Sequence, residues 1–221
     1  MKTVLSMLAV ILGAVTPCRA AIFPVTNGSD SGPGSLRAAV LAANGSAGAD
    51  EILLASITGT IVLQSSLPSF SGDTILTGPG AASLTISGNS AVQILTIDVG
   101  STVRISSVTF ADGLAVANAN GGAIANHGTL TLIDCFLSGN RTVGGFGGAI
   151  YSDDDLTLLR CEFANNRVTG GTSTGSGTKG GLGGGGGGFG GAIYHATGAL
   201  AVTDCIFRGN SATGGNGATA M

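Results

Sequence analysis

Helix-forming stretches, tryptophan and charge are all scarce in this chain, and each shortage removes a class of protein. From Ile52 to Ile105 nothing between the apolar runs is long enough for a crossover helix, which excludes a βαβ sheet for these runs. Charged residues make up 10% of the 221 positions and the formal net charge is -3, with no basic stripe, so no electrostatic footprint for nucleic acid exists. Lys179 lies in a Gly-rich stretch without a following Ser or Thr, so a phosphate-binding loop is unsupported. No residue pattern asks for a cofactor. Abundance lies elsewhere: 40 residues are Gly, well above the usual share of about 7%. Gly at that density argues for many turns and against helices.

Residues 1–20 read as a secretory signal: Lys2, an apolar run from Val4 to Val15, then Pro17-Cys18-Arg19-Ala20 as the cleavage region. The run is shorter than the roughly 20 residues of a membrane span, and no span is expected in the mature chain from Ala21. Cys18 also suggests a lipidated cysteine, although Pro17 stands where a small residue normally precedes one. Cleavage at Ala20 leaves three cysteines, all inside a repeat.

Residues 21–50 are expected to form a short strand at Ile22 to Val25 and a capping helix. Ser35 can cap that helix, Leu36, Ala39, Val40 and Ala43 share one face, and Asn44-Gly45 ends it. Residues 51–221 then carry short apolar runs separated by turn residues: Ile52–Leu54, Thr60–Leu63, Thr74–Leu76, Leu84–Ile86, Ile94–Ile97 and Val103–Ile105.

From Leu130 the runs become a repeat. Aligned on Cys135, Cys161 and Cys205, the copies give apolar columns at Leu130, Leu156 and Leu200, at Leu132, Leu158 and Val202, and at Leu137, Phe163 and Phe207. Within a copy the apolar residues alternate, skip two and alternate again, which a flat strand cannot do. Two strands joined by a bend can. Gly147-Gly-Ala-Ile150 and its counterparts ending at Ile124 and Ile193 supply a third inward side, so the unit is a three-sided coil. Starts at Val103, Leu130 and Leu156 are 27 and 26 residues apart, and Leu200 follows 44 later; the excess maps to a loop at 170–188. A leucine-rich repeat also fits the spacing, but Gly144 to Gly148 occupies the place of its helix or extended return.

The paired Gly-Gly-Ala-Ile and Phe-x-x-Asn motifs resemble the polymorphic outer membrane protein repeats of exported bacterial β-helix proteins. Val25-Thr-Asn27, Ser31 to Ala39 and Gly78-Pro-Gly80 resemble the amino-terminal part common to many of them. The resemblance implies an all-β, right-handed, pectate-lyase-like parallel β-helix, export, and display at the outer membrane or outside the cell, often in adhesion. Its expected partners are surface glycans or proteins of host or neighbouring cells. Autotransporter members end in a membrane barrel, for which nothing here provides. No second cap is evident after Asn210, so end-to-end self-association or a longer parent protein is expected.

Stacked coils give most conspicuous residues a structural reading. Asn140, Asn166 and Asn210 are expected to form a corner ladder, and Cys135, Cys161 and Cys205 a column of buried free thiols, since parallel side chains oppose disulfide geometry. Asp134, Arg160 and Asp204 should form an outward column of alternating charge. The enzyme alternative, a polysaccharide lyase or glycoside hydrolase, rests on His127 near Asp153 and Ser152 near His195, with Tyr151 and Tyr194 alongside. Asp153, Asp154 and Asp155 are candidate calcium ligands, though consecutive acids in a turn are usually solvated. Gly214 to Thr219 has Thr where a calcium-binding nonapeptide needs Asp.

Overall fold

Each coil begins where an alternating pair meets its counterpart in the coil before, 27 residues back at Leu130 and 26 at Leu156. In the computed structural model, which describes residues 20–117, 119–171 and 186–216, Leu130 pairs in parallel with Val103 and Leu156, and Leu156 with Leu200. Leu137 stands between Phe110 and Phe163, and Ile150 between Ile124 and Ile193. Every such pairing is parallel. The stack is a right-handed parallel β-helix of about five turns. Leu130, Leu132, Leu137, Ile150, Leu158 and Phe163 are fully buried, so the apolar columns are the core. Full burial of each such side chain contributes about 1.5–3 kcal/mol. The leader, Cys18, Lys179, Thr219 and most of the Gly-rich loop lie outside the described residues.

The six early apolar runs are all strands, at Asp50–Leu53, Gly59–Val62, Thr74–Thr77, Leu84–Ser87, Leu95–Ile97 and Thr102–Ser106. Ile22–Pro24 pairs beside Asp50–Leu53 as the first strand of a seven-stranded sheet. Helix α1 (Leu36–Asn44) packs against these two strands. The Ser35 hydroxyl accepts a hydrogen bond from the Ala38 N–H, and Leu36, Ala39, Val40 and Ala43 are the buried face. Gly45 ends the helix in right-handed backbone at φ -90°, so its freedom to adopt positive φ is not what stops it.

The skip within each copy has a backbone cause. Asp134, Arg160 and Asp204 have φ of 51°, 51° and 52°, and a single left-handed residue reverses which side of the chain faces inward. A second left-handed corner follows at Gly139, Asn165 and Gly209, and a third at Gly121, Gly147 and Gly190.

In the later coils a fourth short strand joins the three inward columns. It comprises Arg141–Val143, Arg167–Thr169 and Ser211–Thr213, preceded by Leu114–Ala115, and forms a four-stranded sheet. Only its middle residue points inward, Thr142 or Val168, so no alternation betrays it in the sequence.

Corner ladders tie coil to coil. Asn140 Nδ2 donates to Asn166 Oδ1 at 3.0 Å and to the Phe110 carbonyl at 3.1 Å; Asn166 Nδ2 donates likewise to Asn210 Oδ1 and the Leu137 carbonyl, both at 2.9 Å. Each Oδ1 also takes a backbone N–H of the preceding coil, from Asn140 at 3.0 Å and from Asn166 at 2.9 Å. Gly113, where the earliest coil has no Asn, gives its N–H to Asn140 Oδ1.

Cys135, Cys161 and Cys205 are free thiols in one column. A hydrogen bond to Cys161, then burial, push the Cys135 thiol well above its ordinary range; Cys161, on the other side of that bond, is lowered to about 7. Cys205 is raised, mainly by burial. Access outweighs acidity here, because Cys135 and Cys161 are 2% and 1% exposed while Cys205 is only partly covered. Alkylation of the native protein, followed by peptide mass analysis, should mark Cys205 first and the other two only after denaturation.

On the outside of the same bend, Arg160 Nε and the Asp134 carboxylate meet at 2.7 Å, with Nη2 and the second oxygen at 2.8 Å. The Arg160 hydrogen bond holds the Asp134 carboxyl below its usual range. A lowered carboxyl stabilises the fold above the unfolded pKa of about 4, and that contribution is lost as pH falls through the folded value. Arg160→Ala should therefore produce a melting difference at neutral pH that shrinks in acid, small throughout because the pair is open to solvent. A difference that grows in acid would contradict this assignment.

Candidate functional site

The wall built on Gly-Gly-Ala-Ile collects unusual side chains. Its strands are Ile124–Asn126, Ile150–Ser152 and Ile193–His195, continued earlier by Leu95–Ile97. Period-two alternation buries Ile124 and Ile150, half-buries Ile193, and puts Ala125, Tyr151 and Tyr194 in one register column of which the two tyrosines are partly exposed. His127 and Asp153 follow one another at the succeeding turn. Both tyrosines and both histidines of the chain are thereby on this wall.

His127 Nδ1 lies 2.9 and 3.0 Å from the two Asp153 oxygens, with each side chain about one third exposed, at 36% and 35%. The Tyr151 hydroxyl donates to Asp153 Oδ2 at 3.3 Å. Desolvation first, and then the Asp153 charge, raise the Tyr151 pKa. Tyr151 and Tyr194 have ring centroids 6.0 Å apart and planes within 7°. Tyr194 stacks on Phe146 at 4.7 Å, and Phe189, 53% exposed, lies 5.8 Å from Phe146. His127 is 5.9 Å from Tyr151, completing a strip.

Ser152 and His195 are register partners, but they do not form a catalytic pair. The buried Ser152 hydroxyl donates to the Asp154 carbonyl at 2.7 Å and accepts from Asn126 Nδ2 at 2.9 Å. It is therefore a structural link and cannot act as a nucleophile from there. His195 Nε2 meets the Gly198 carbonyl at 3.1 Å, and its buried Nδ1 has no hydrogen-bond partner among the described residues.

The three consecutive acids face three ways. Asp153 serves His127 and Tyr151, Asp154 Oδ1 accepts the Asp155 N–H at 2.7 Å, and Asp155 Oδ1 accepts the Ala199 N–H at 2.8 Å. Their spacing along one turn separates the side chains instead of converging them on an ion, and no group of three potential metal ligands occurs among the described residues. A groove of about 300 Å³ lies on the seven-stranded sheet, lined by residues including Asp73, Ile75, Arg104 and Thr131. The His127–Asp153 pair is not part of it.

Sequence alignment alone brought His127 to Asp153 and set the tyrosines beside them. It missed Phe146 and Phe189, which form a parallel bridge between coils; the signal was there, since each directly precedes Gly-Gly-Ala-Ile. It also missed the ion pair of Glu162 with Arg208, which register explains, since Ile206 faces Glu162 two residues earlier. No helix among the described residues is long and apolar enough to cross a membrane. The chain matches no protein-family model, and no curated protein matches it significantly.

Proposed function

We propose that this chain is an exported bacterial β-helix of the polymorphic outer membrane protein repeat type, displayed at the cell surface in an adhesive or interaction role. The supporting observation is the outward aromatic strip with its His127–Asp153 edge. The Asn and Cys columns join coils to one another, and the outward Asp134–Arg160 pair does the same. The strip also joins coils, through His127–Asp153 and Tyr151–Tyr194, but it leaves aromatic surface open to solvent, and an open aromatic wall suits attachment better than chemistry, which needs water excluded from the reacting atoms.

Fusion of residues 1–20 to a periplasm-dependent reporter should give an active reporter; an inactive one overturns export. The chain from Ala21 should be retained by cells or immobilised surface glycans without releasing new chain ends. A polysaccharide lyase or hydrolase remains the second reading, because Asp153 occupies His127 Nδ1 and leaves Nε2 to meet a substrate. That reading expects depolymerisation of a glycan, abolished in His127→Ala and Asp153→Asn. Release of chain ends would place it first.

A further inference from the structure

We infer that the wall carrying Phe146, Tyr151, Phe189 and Tyr194, edged by His127 and Asp153, binds a neutral polysaccharide chain lying along the solenoid axis. The inference rests on the adhesive reading and names its ligand class. Three observations carry it.

The first is shape. Phe146, Tyr151 and Tyr194 are partly exposed and Phe189 is more than half exposed; they stand two to a coil on successive coils about 4.8 Å apart, with His127 on the coil before, so the strip crosses three coils along the axis. Aromatic rings offer apolar surface to the C–H faces of pyranose rings, and an extended sugar chain advances by a similar step with each residue. The second is chemistry at the edge. Asp153 and His127 place an acceptor and a ring nitrogen beside the rings, which is what sugar hydroxyls need for orientation.

The third observation separates ligands by charge and backbone. Asp153 edges the rings, and Asp154 and Asp155 add negative charge to the same turn, so a uronate or sulfated glycan would be repelled. A peptide adding as a strand is also disfavoured at the centre of the wall. Ile150–Ser152 is already paired with Ile124–Asn126 on one side and Ile193–His195 on the other.

The chain supplies its own probe. It has no Trp and both of its Tyr residues lie on this wall, so intrinsic tyrosine emission reports the site directly. Titration of the chain from Ala21 with soluble oligomers of glucose, mannose or N-acetylglucosamine should give a saturable emission change with at least one of them. Calorimetry with that oligomer should show Tyr194→Ala weakened by about tenfold or more. Tyr194→Phe keeps the ring and should stay within about threefold of the parent. Arg160→Ala, at a different bend, should bind as the parent does.

Absence of binding by every neutral oligomer overturns the proposal. So does preferential binding of polygalacturonate or of a basic peptide, or equal affinity in Tyr194→Ala with an unchanged melting curve. Failure here is distinct from failure of adhesion: cell attachment that persists in Tyr194→Ala removes this site and leaves the adhesive role standing. Loss of all attachment by the parent chain removes that role, whatever the titration shows.

Discussion

Gly148→Ala should destabilise the fold by about 3–5 kcal/mol, at the upper end for a single added methyl. A Cβ at Gly148 would sit 2.0 Å from the Gly191 carbonyl oxygen of the next coil and 2.7 and 2.8 Å from the Arg167 backbone N and C. All three are main-chain atoms, so no side chain can swing aside. Either the coils separate or the corner rebuilds. Gly148 does not have positive φ, so the effect is contact alone, whereas its neighbour Gly147 combines φ of 69° with the Ile150 carbonyl 2.0 Å away. Gly-Gly thus has two separate causes: the first residue turns the corner and the second lets the next coil approach. Thermal melting should show a fall of about 10 °C for Gly148→Ala. Gly72→Ala, with nothing within 4 Å of the new methyl, should be neutral or slightly stabilising. Similar melting of the two variants would refute the steric assignment.

Asn166→Ala should lose about 3–4 kcal/mol, mostly through what it leaves behind. Removal of the amide strands the Asn140 N–H, one Asn140 Nδ2 donor and the Leu137 carbonyl, all now satisfied by Asn166. Each unsatisfied buried group costs about 1–3 kcal/mol, and water entering the corner recovers part. Asn210→Ala should cost less, because Asn210 is only partly buried and solvent can replace its bonds. Asn166→Asp keeps the acceptor but sets a carboxylate oxygen against Asn210 Oδ1, and should be no better than Ala. Denaturant unfolding, combined with hydrogen exchange at the Asn140 amide, checks the order. A loss below about 0.5 kcal/mol for Asn166→Ala would mean the ladder is decorative.

These two positions also mark what a single sequence can reveal of such a fold. Inward residues in a solenoid stack on their own copies, so Leu130 and Leu156 write the register twice and the coil can be read by alignment. Asn166 was legible for the same reason. Thr142 and Val168 were not, because a strand with one inward residue leaves no alternation, and a polar Thr gives no apolar column. At the site, His127 and Asp153 became neighbours as soon as the coils were aligned. Phe146 and Phe189 were legible in the same way, since each directly precedes Gly-Gly-Ala-Ile, but Gly on both sides hid them in what reads as turn. What the sequence does not show is how the rings meet: Tyr194 stacks on Phe146 across the coils, which is a tertiary fact.

The longer coil's return to register has a consequence for how the molecule tolerates change. Gly170 donates to the Thr213 carbonyl, Gly186 to Gly171 and Gly215 to Gly186, each at 2.8 Å, and beyond this closure Ile193 resumes pairing with Ile150 as though the extra residues were absent. Closing a longer loop adds only about 0.6 kcal/mol for each doubling of its length. The corner therefore works as a splice point: Gly171 and Gly186 meet in a hydrogen bond, so foreign sequence placed between them should leave the phase of the coils on either side unchanged.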